Sequence, residues 1–236
     1  MFDWVGGGTE PELHERRDGY LEVGAGPELY LAPARRWPRA EGRAMAYAVG
    51  RVLDVGCGAG RVALHLQQLG VEVTGLDVSA LAVRAARRRG VRDVQLGTVQ
   101  SFAGQLADFD TLVLLGNNAG IFGTPDGLRK GLRRWARLMR PGARLLAGST
   151  SPYGGTAPLL DAEWRQNNRR QGKMAGQLRL RVRYGKLASP WFNWLFLSPG
   201  ELATLVDGTG WRWLRTLQAG DDEPFVAVLE REQTPG

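Results

Sequence analysis

The chain has 236 residues, of which 43% are hydrophobic, with one cysteine and a formal net charge of +7. This is enough apolar material for one well-filled domain and excludes a chain disordered throughout. No apolar run reaches about 18 residues, and Met1-Phe2-Asp3-Trp4 has neither the basic start nor the apolar stretch of a secretion signal, so a cytoplasmic protein with no membrane partner is expected.

Cys57 alone forbids an internal disulfide, and His14 and His65 are too few to build a structural metal site, so no metal is expected. Only Lys130, Lys173 and Lys186 among the 31 basic residues are lysine; the rest are arginines scattered among Ala, Gly and Leu. That skew reads as coding bias at least as much as a surface for RNA, an acidic membrane or a phosphorylated substrate.

Residues 1–40 lack periodicity and are rich in Gly and Pro, so the first few are expected to be mobile. Tyr20, Tyr30 and Trp37 nevertheless give this segment enough aromatic surface to fold over the mouth of a site. Residues 41–49 predict a short helix. Strand and helix then alternate: strands over 51–55, 71–76, 91–96, 110–115 and 143–148, and helices over 61–69, 79–89 and 127–139. Such alternation predicts a mostly parallel sheet covered on both faces, with a ligand at the carboxyl ends of its strands. Between 150 and 198 the rhythm breaks. Leu178, Leu180, Val182 and Tyr184 alternate with Arg179, Arg181 and Arg183, predicting a half-exposed strand over 177–184 and a hairpin partner over 191–197. A helix from Ser198 to 207 and two antiparallel strands, 211–217 and 224–230, close the chain.

Chemistry centres on Asp54-x-Gly56-x-Gly58-x-Gly60, a glycine turn between the first strand and its helix. Glycines there admit positive φ and the close approach of a ligand. A dinucleotide fingerprint requires a small residue where Arg61 stands, which disfavours NAD. The motif resembles that of class I S-adenosylmethionine-dependent methyltransferases. Val73-Thr74-Gly75-Leu76-Asp77-Val78-Ser79 is similar to that family's second strand, residues 138–146 to its turn before strand five, and Thr209-Gly210-Trp211 to its entry to strand six.

The resemblance implies a Rossmann-like, doubly wound α/β fold: a seven-stranded sheet, mostly parallel with an antiparallel C-terminal strand, plus an inserted β-hairpin after strand five. It divides the chain into a cap segment (1–40) and a methyltransferase domain (41–236) with a substrate-side insertion (150–198). S-adenosyl-L-methionine is the implied cofactor. Gly56, Cys57, Gly58 and Gly60 would line its methionine and ribose portion, Asp54 would face its amino group and Asp77 its ribose. Val78, Ser79, Thr98 and Val99 would lie near adenine, with Gly116 and Asn117 beside the methyl. Tyr20, Tyr30, Tyr153, Trp191 and Trp194 are candidates for a substrate pocket. Neither His14 nor His65 is identified as a catalytic base, and Cys57 reads as a packing residue. The expected reaction is in-line methyl transfer to a small molecule. RNA or protein methylation through the basic insertion, and cofactor binding without turnover, are the alternatives.

Overall fold

The structure, a computed structural model, describes residues 1–155 and 157–233. In chain order, α1 (Phe2–Val5) is followed by β1 (Leu13–Arg16), β2 (Leu21–Val23), α2 (Gly26–Tyr30) and α3 (Arg39–Ala44). The alternating portion comprises β3 (Val52–Val55), α4 (Arg61–Gln68), β4 (Val73–Asp77), α5 (Ala80–Arg88), β5 (Val94–Leu96), β6 (Thr111–Leu114), α6 (Pro125–Leu138) and β7 (Arg144–Ser149). Then come α7 (Ala162–Arg170), β8 (Gln177–Tyr184), β9 (Leu187–Ala188), β10 (Phe192–Leu195), α8 (Pro199–Val206), β11 (Trp211–Leu217) and β12 (Phe225–Arg231).

The main sheet has seven strands in the order β11-β12-β7-β6-β3-β4-β5. β3 to β7 pair in parallel, and β12 runs antiparallel to both β7 and β11. The period of two along each strand decides which face a side chain covers. Leu112 and Leu114 of β6, with Leu145 and Ala147 of β7, pack on one face together with Leu128, Leu132 and Trp135 of α6. Val113 and Leu146 point the other way, into a second core with Val62 and Leu66 of α4. Helix ends follow local chemistry. Ser198 caps α8 in a full capping box with Glu201, and Thr124 caps α6 ahead of Pro125. α6 starts two residues before the expected 127, because Thr124 caps it and Pro125 suits the first helical position.

The segments outside this sheet combine into a second one. β8 pairs antiparallel with β10, as a strand and its partner, but β1 and β2 from the N-terminal segment add to β8's other edge, giving the order β10-β8-β1-β2 with β9 also on β8. Alternation over only three or four residues, interrupted by glycines, hid β1 and β2 from a pattern search. Arg16 ties the two segments together: its Nη1 donates to the Leu159 carbonyl and to Asp161, both at 2.7 Å, while Asp18 takes its other edge. Trp164 and Tyr20 stack against the guanidinium. The first residues are not loose: α1 packs on α5, Trp4 is buried against Tyr30, and Arg84 lies 4.5 Å over the Phe2 ring.

Candidate functional site

The glycine turn sits where β3 ends and α4 begins. Gly56, Gly58 and Gly60 all take positive φ, at 71°, 56° and 77°. Their jobs differ. A Cβ on Gly60 would lie 2.5 Å from Val91, so this glycine lets the turn pack on the connection after α5, and it does not line the cavity beside the turn. A Cβ on Gly58 would meet only the Met1 side chain, at 3.1 Å.

Asp77, at the end of β4, holds the turn from below. Its Oδ2 accepts the Gly58 N–H at 2.9 Å and its Oδ1 the Ser79 N–H at 2.8 Å, and the residue lines the cavity. Burial pushes its carboxyl up from the ordinary range. Asn118, which the sequence reading did not select, donates to the Val55 and Gly56 carbonyls at 2.9 and 3.0 Å. The φ of 69° at Asn117 turns the chain sharply there, and Asn117 Oδ1 accepts from Thr150 at 2.8 Å.

Around the turn lies a cavity of about 930 Å³. It reaches from the carboxyl ends of β3, β4 and β6 to the inner face of the second sheet. Of the residues expected near a cofactor, Asp54, Gly56, Cys57, Gly58, Asp77 and Val78 line it, as do Ser79, Thr98, Val99, Gly116 and Asn117. Ser79 Oγ accepts the Ala82 N–H as the cap of α5, and the Thr98 hydroxyl is engaged with Ser101. Burial raises the Cys57 thiol well above its usual range, consistent with a packing residue.

Two polar groups in the cavity wall lack full satisfaction. Asp54 is 3% exposed, and its Oδ2 is buried with no hydrogen-bond partner among the described residues. Burial pushes this carboxyl up to about 7. Arg61, seven residues on, pairs with buried Glu41 at 2.6 Å, while its Nη1 is likewise buried without a partner. Trp37 lies 4.9 Å under the guanidinium, and Glu41 also accepts the Gly116 N–H at 2.9 Å, linking the first turn to the loop after β6. In sequence, Arg61 shows only as the residue that disfavours NAD. Its partner lies 20 residues upstream, and no local pattern could have joined them.

The aromatic candidates separate. Tyr30 and Trp194 line the cavity. Tyr20 lies against Arg16, Trp191 against Arg181 at 4.7 Å, and Tyr153 is 46% exposed with its hydroxyl donating to Glu201 at 2.6 Å; none of these three reaches the cavity. Sheet alternation explains Trp191: it shares the outer face with Arg179, Arg181 and Arg183, opposite Leu180 and Val182. Arg181 and Arg183 both pair with Glu15 on that outer face. His65 packs edge-on to Trp37, away from the cavity. His14 is different: it lines the cavity beside Glu12.

Comparison with known proteins agrees with this geometry. Residues 52–142 match the family model described as a methyltransferase domain. A ubiquinone biosynthesis O-methyltransferase from Xanthomonas oryzae pv. oryzae is 33% identical over 101 residues, 40% of this chain and 41% of that protein. A malonyl-[acyl-carrier protein] O-methyltransferase from Enterobacter lignolyticus is 32% identical over 116 residues, 49% of this chain and 44% of that one. The chain thus spans less than half the length of these curated relatives. Among solved structures, a Bacteroides fragilis SAM-dependent methyltransferase in complex with S-adenosyl-L-homocysteine superposes with a TM-score of 0.78 at 24% identity, covering 98% of this chain and 92% of that one. The glycine turn, the acid ending β4, the seven-stranded sheet and the family match point the same way: residues 52–142 form a methyltransferase domain, and the chain has the Rossmann-like fold of S-adenosylmethionine-dependent methyltransferases.

Proposed function

We propose that the chain transfers the methyl group of S-adenosylmethionine to a small, largely apolar acceptor enclosed between its two sheets. The observation that carries this reading is the pair of unsatisfied groups, Asp54 Oδ2 and Arg61 Nη1. A buried carboxyl oxygen and a buried guanidinium nitrogen, each short of a partner and flanking one glycine turn, complement the ammonium and carboxylate of an amino acid. The cofactor ends in such a group. Asp77 then offers its remaining lone pairs to a vicinal diol, and exposed Val78 offers an apolar edge to a base.

S-adenosylmethionine, when bound, supplies a methyl group on a sulfonium, open to in-line displacement. The protein's contribution is alignment and exclusion of water. Arg61, braced by Glu41 and Trp37, and Asp54 fix the amino-acid end, so that the donor cannot slide along the turn. Phe122, Leu180, Val182, Phe192 and Trp194 line the side of the cavity toward the second sheet. At about 930 Å³ the cavity lies at the upper end of the range for small-molecule sites, which suits two ligands side by side. The named relatives are O-methyltransferases, which favours oxygen as the acceptor atom.

Differential scanning fluorimetry with S-adenosylhomocysteine tests the reading: the wild type is stabilised and Arg61→Met is not. Absence of any shift in the wild type would falsify it.

A further inference from the structure

A hydroxyl acceptor has to lose a proton on methylation, so the cavity requires a group able to take it. Asp54, Arg61 and Asp77 are committed to the proposed cofactor site. Cys57 and Tyr30 are pushed up by burial and keep their own protons. Tyr184 is also raised, and Asp3 is its hydrogen-bond partner. With Asp3 engaged by Tyr184, the described cavity residues still able to take a proton are the Met1 α-amino group, Glu12 and His14; of these Glu12 and His14 sit on the approach to or within β1, facing each other.

The two differ in what surrounds them. Glu12 is 8% exposed; its carboxylate lies 3.5 Å from His14 Nε2 and also meets the Tyr30 hydroxyl. The His14 side chain keeps 22% of its surface accessible, and Nδ1 is the ring nitrogen turned away from Glu12. Across the second sheet His14 stands in register with Glu22 of β2 and with Val182 of β8. The charged or titratable groups around it are therefore Glu12, Glu22, Tyr30 and the α-amino group of Met1, which feels Glu12. Neither His14 nor Glu12 falls within the matched residues 52–142, so the family match says nothing about them.

We propose that His14, oriented by Glu12, is the general base for methyl transfer to an aromatic hydroxyl. This rests on the cofactor reading above. With Nε2 facing Glu12 at 3.5 Å, Nδ1 is the ring nitrogen left to accept a proton. The acceptor oxygen bonds to the methyl carbon as the carbon–sulfur bond breaks, its electron pair stays on sulfur, and the hydroxyl proton passes to Nδ1. Imidazole is matched to a hydroxyl of phenolic acidity, about pKa 10, and not to the far weaker aliphatic alcohols. Phe122, Phe192 and Trp194 suit a ring carrying that hydroxyl.

The test uses 4-nitrophenol, whose anion absorbs in the visible, added to protein saturated with S-adenosylhomocysteine at a pH where the free probe is protonated. In the wild type the phenolate band is expected to appear on binding, and in His14→Gln and Glu12→Gln to be lost or strongly reduced, with stabilisation by S-adenosylhomocysteine unchanged in both. With catechol and S-adenosylmethionine, His14→Gln should lower kcat about 100-fold or more near neutral pH. The gap should narrow as pH rises toward the ionisation of the phenol itself, a rescue that a merely structural defect would not show. Stabilisation by S-adenosylhomocysteine without any phenolate band, or with a band that survives in His14→Gln, overturns the assignment of His14. Lack of stabilisation in the wild type overturns the cofactor reading instead.

Discussion

Asp54 Oδ2 and Arg61 Nη1 flank the same glycine turn, both buried and both without a hydrogen-bond partner among the described residues. Unsatisfied buried polar groups cost about 1–3 kcal/mol each, and more when charged. The amino-acid end of the proposed cofactor would satisfy both.

Asp54 makes the first consequence measurable. Its carboxyl is raised to about 7 in the folded protein, so between its unfolded value and pH 7 the folded state holds a proton that the unfolded state has released. Stability therefore falls as pH rises through that window, by up to about 1.4 kcal/mol per unit, and levels off above it. Asp54→Asn removes the titration. Urea denaturation from pH 4 to 8 should show the variant gaining on the wild type up to about pH 7 and then running parallel to it.

Ligand binding reverses the sign. An ammonium beside Asp54 favours its ionised form, so binding of S-adenosylhomocysteine releases a proton. Affinity should rise about tenfold between pH 6 and pH 8, and this dependence should be absent in Asp54→Asn. Calorimetry in two buffers of different ionisation enthalpy reads the proton directly; equal enthalpies in both buffers would count against the pairing.

Arg61 and Glu41 form a buried pair at 2.6 Å, with side chains 9% and 5% exposed. Arg61→Met strands the carboxylate and should destabilise by about 3–5 kcal/mol. Adding Glu41→Gln neutralises the stranded group and keeps an acceptor for the Gly116 N–H, so the double variant should be more stable than Arg61→Met alone. S-adenosylhomocysteine binding should stay weak in both. Equal unfolding midpoints for the single and double variants would show that the pair is not the reason for the loss.

Gly58 and Gly60 should not be interchangeable. Alanine at either place is strained by its positive φ, at a cost of about 1–2 kcal/mol. At Gly60 the new methyl also meets Val91 at 2.5 Å. Gly60→Ala should therefore be the more destabilising, and Val91→Ala should relieve part of the Gly60→Ala cost while doing nothing for Gly58→Ala. A double-mutant cycle by denaturant unfolding checks this.

Trp194 projects from β10 into the cavity and packs on Phe192 at 5.8 Å. Trp194→Ala should raise KM for an aromatic acceptor about tenfold or more, as expected for the loss of a large apolar contact. Stabilisation by S-adenosylhomocysteine should not change, which separates the acceptor wall from the cofactor floor.

How legible the protein was depends on how far apart its partners lie in sequence. The strands from 51 to 148, the glycine turn and Asp77 are visible because each is a local pattern: a period of two or 3.6, or a turn chemistry confined to a few residues. The Arg-Leu alternation of β8 also declared its two faces. Tyr20, Tyr153 and Trp191 went astray because an aromatic side chain carries no local mark of which face it occupies; a single step along the strand separates Trp191 on the outer face from Phe192 in the cavity.

The sequence by itself thus determined the main sheet and the glycine turn with Asp77 beyond it, set by short-range hydrophobic periodicity and backbone stereochemistry. Only the tertiary structure decided the rest. Strand pairing joined β1 to β8 across more than 160 residues, setting Glu15 against Arg181 and Arg183. That pairing placed His14 in the cavity with Glu12. Burial then left Asp54 and Arg61 each one partner short. Hydrogen bonding between strands and the exclusion of water are properties of the assembled chain, and no stretch of sequence records them alone.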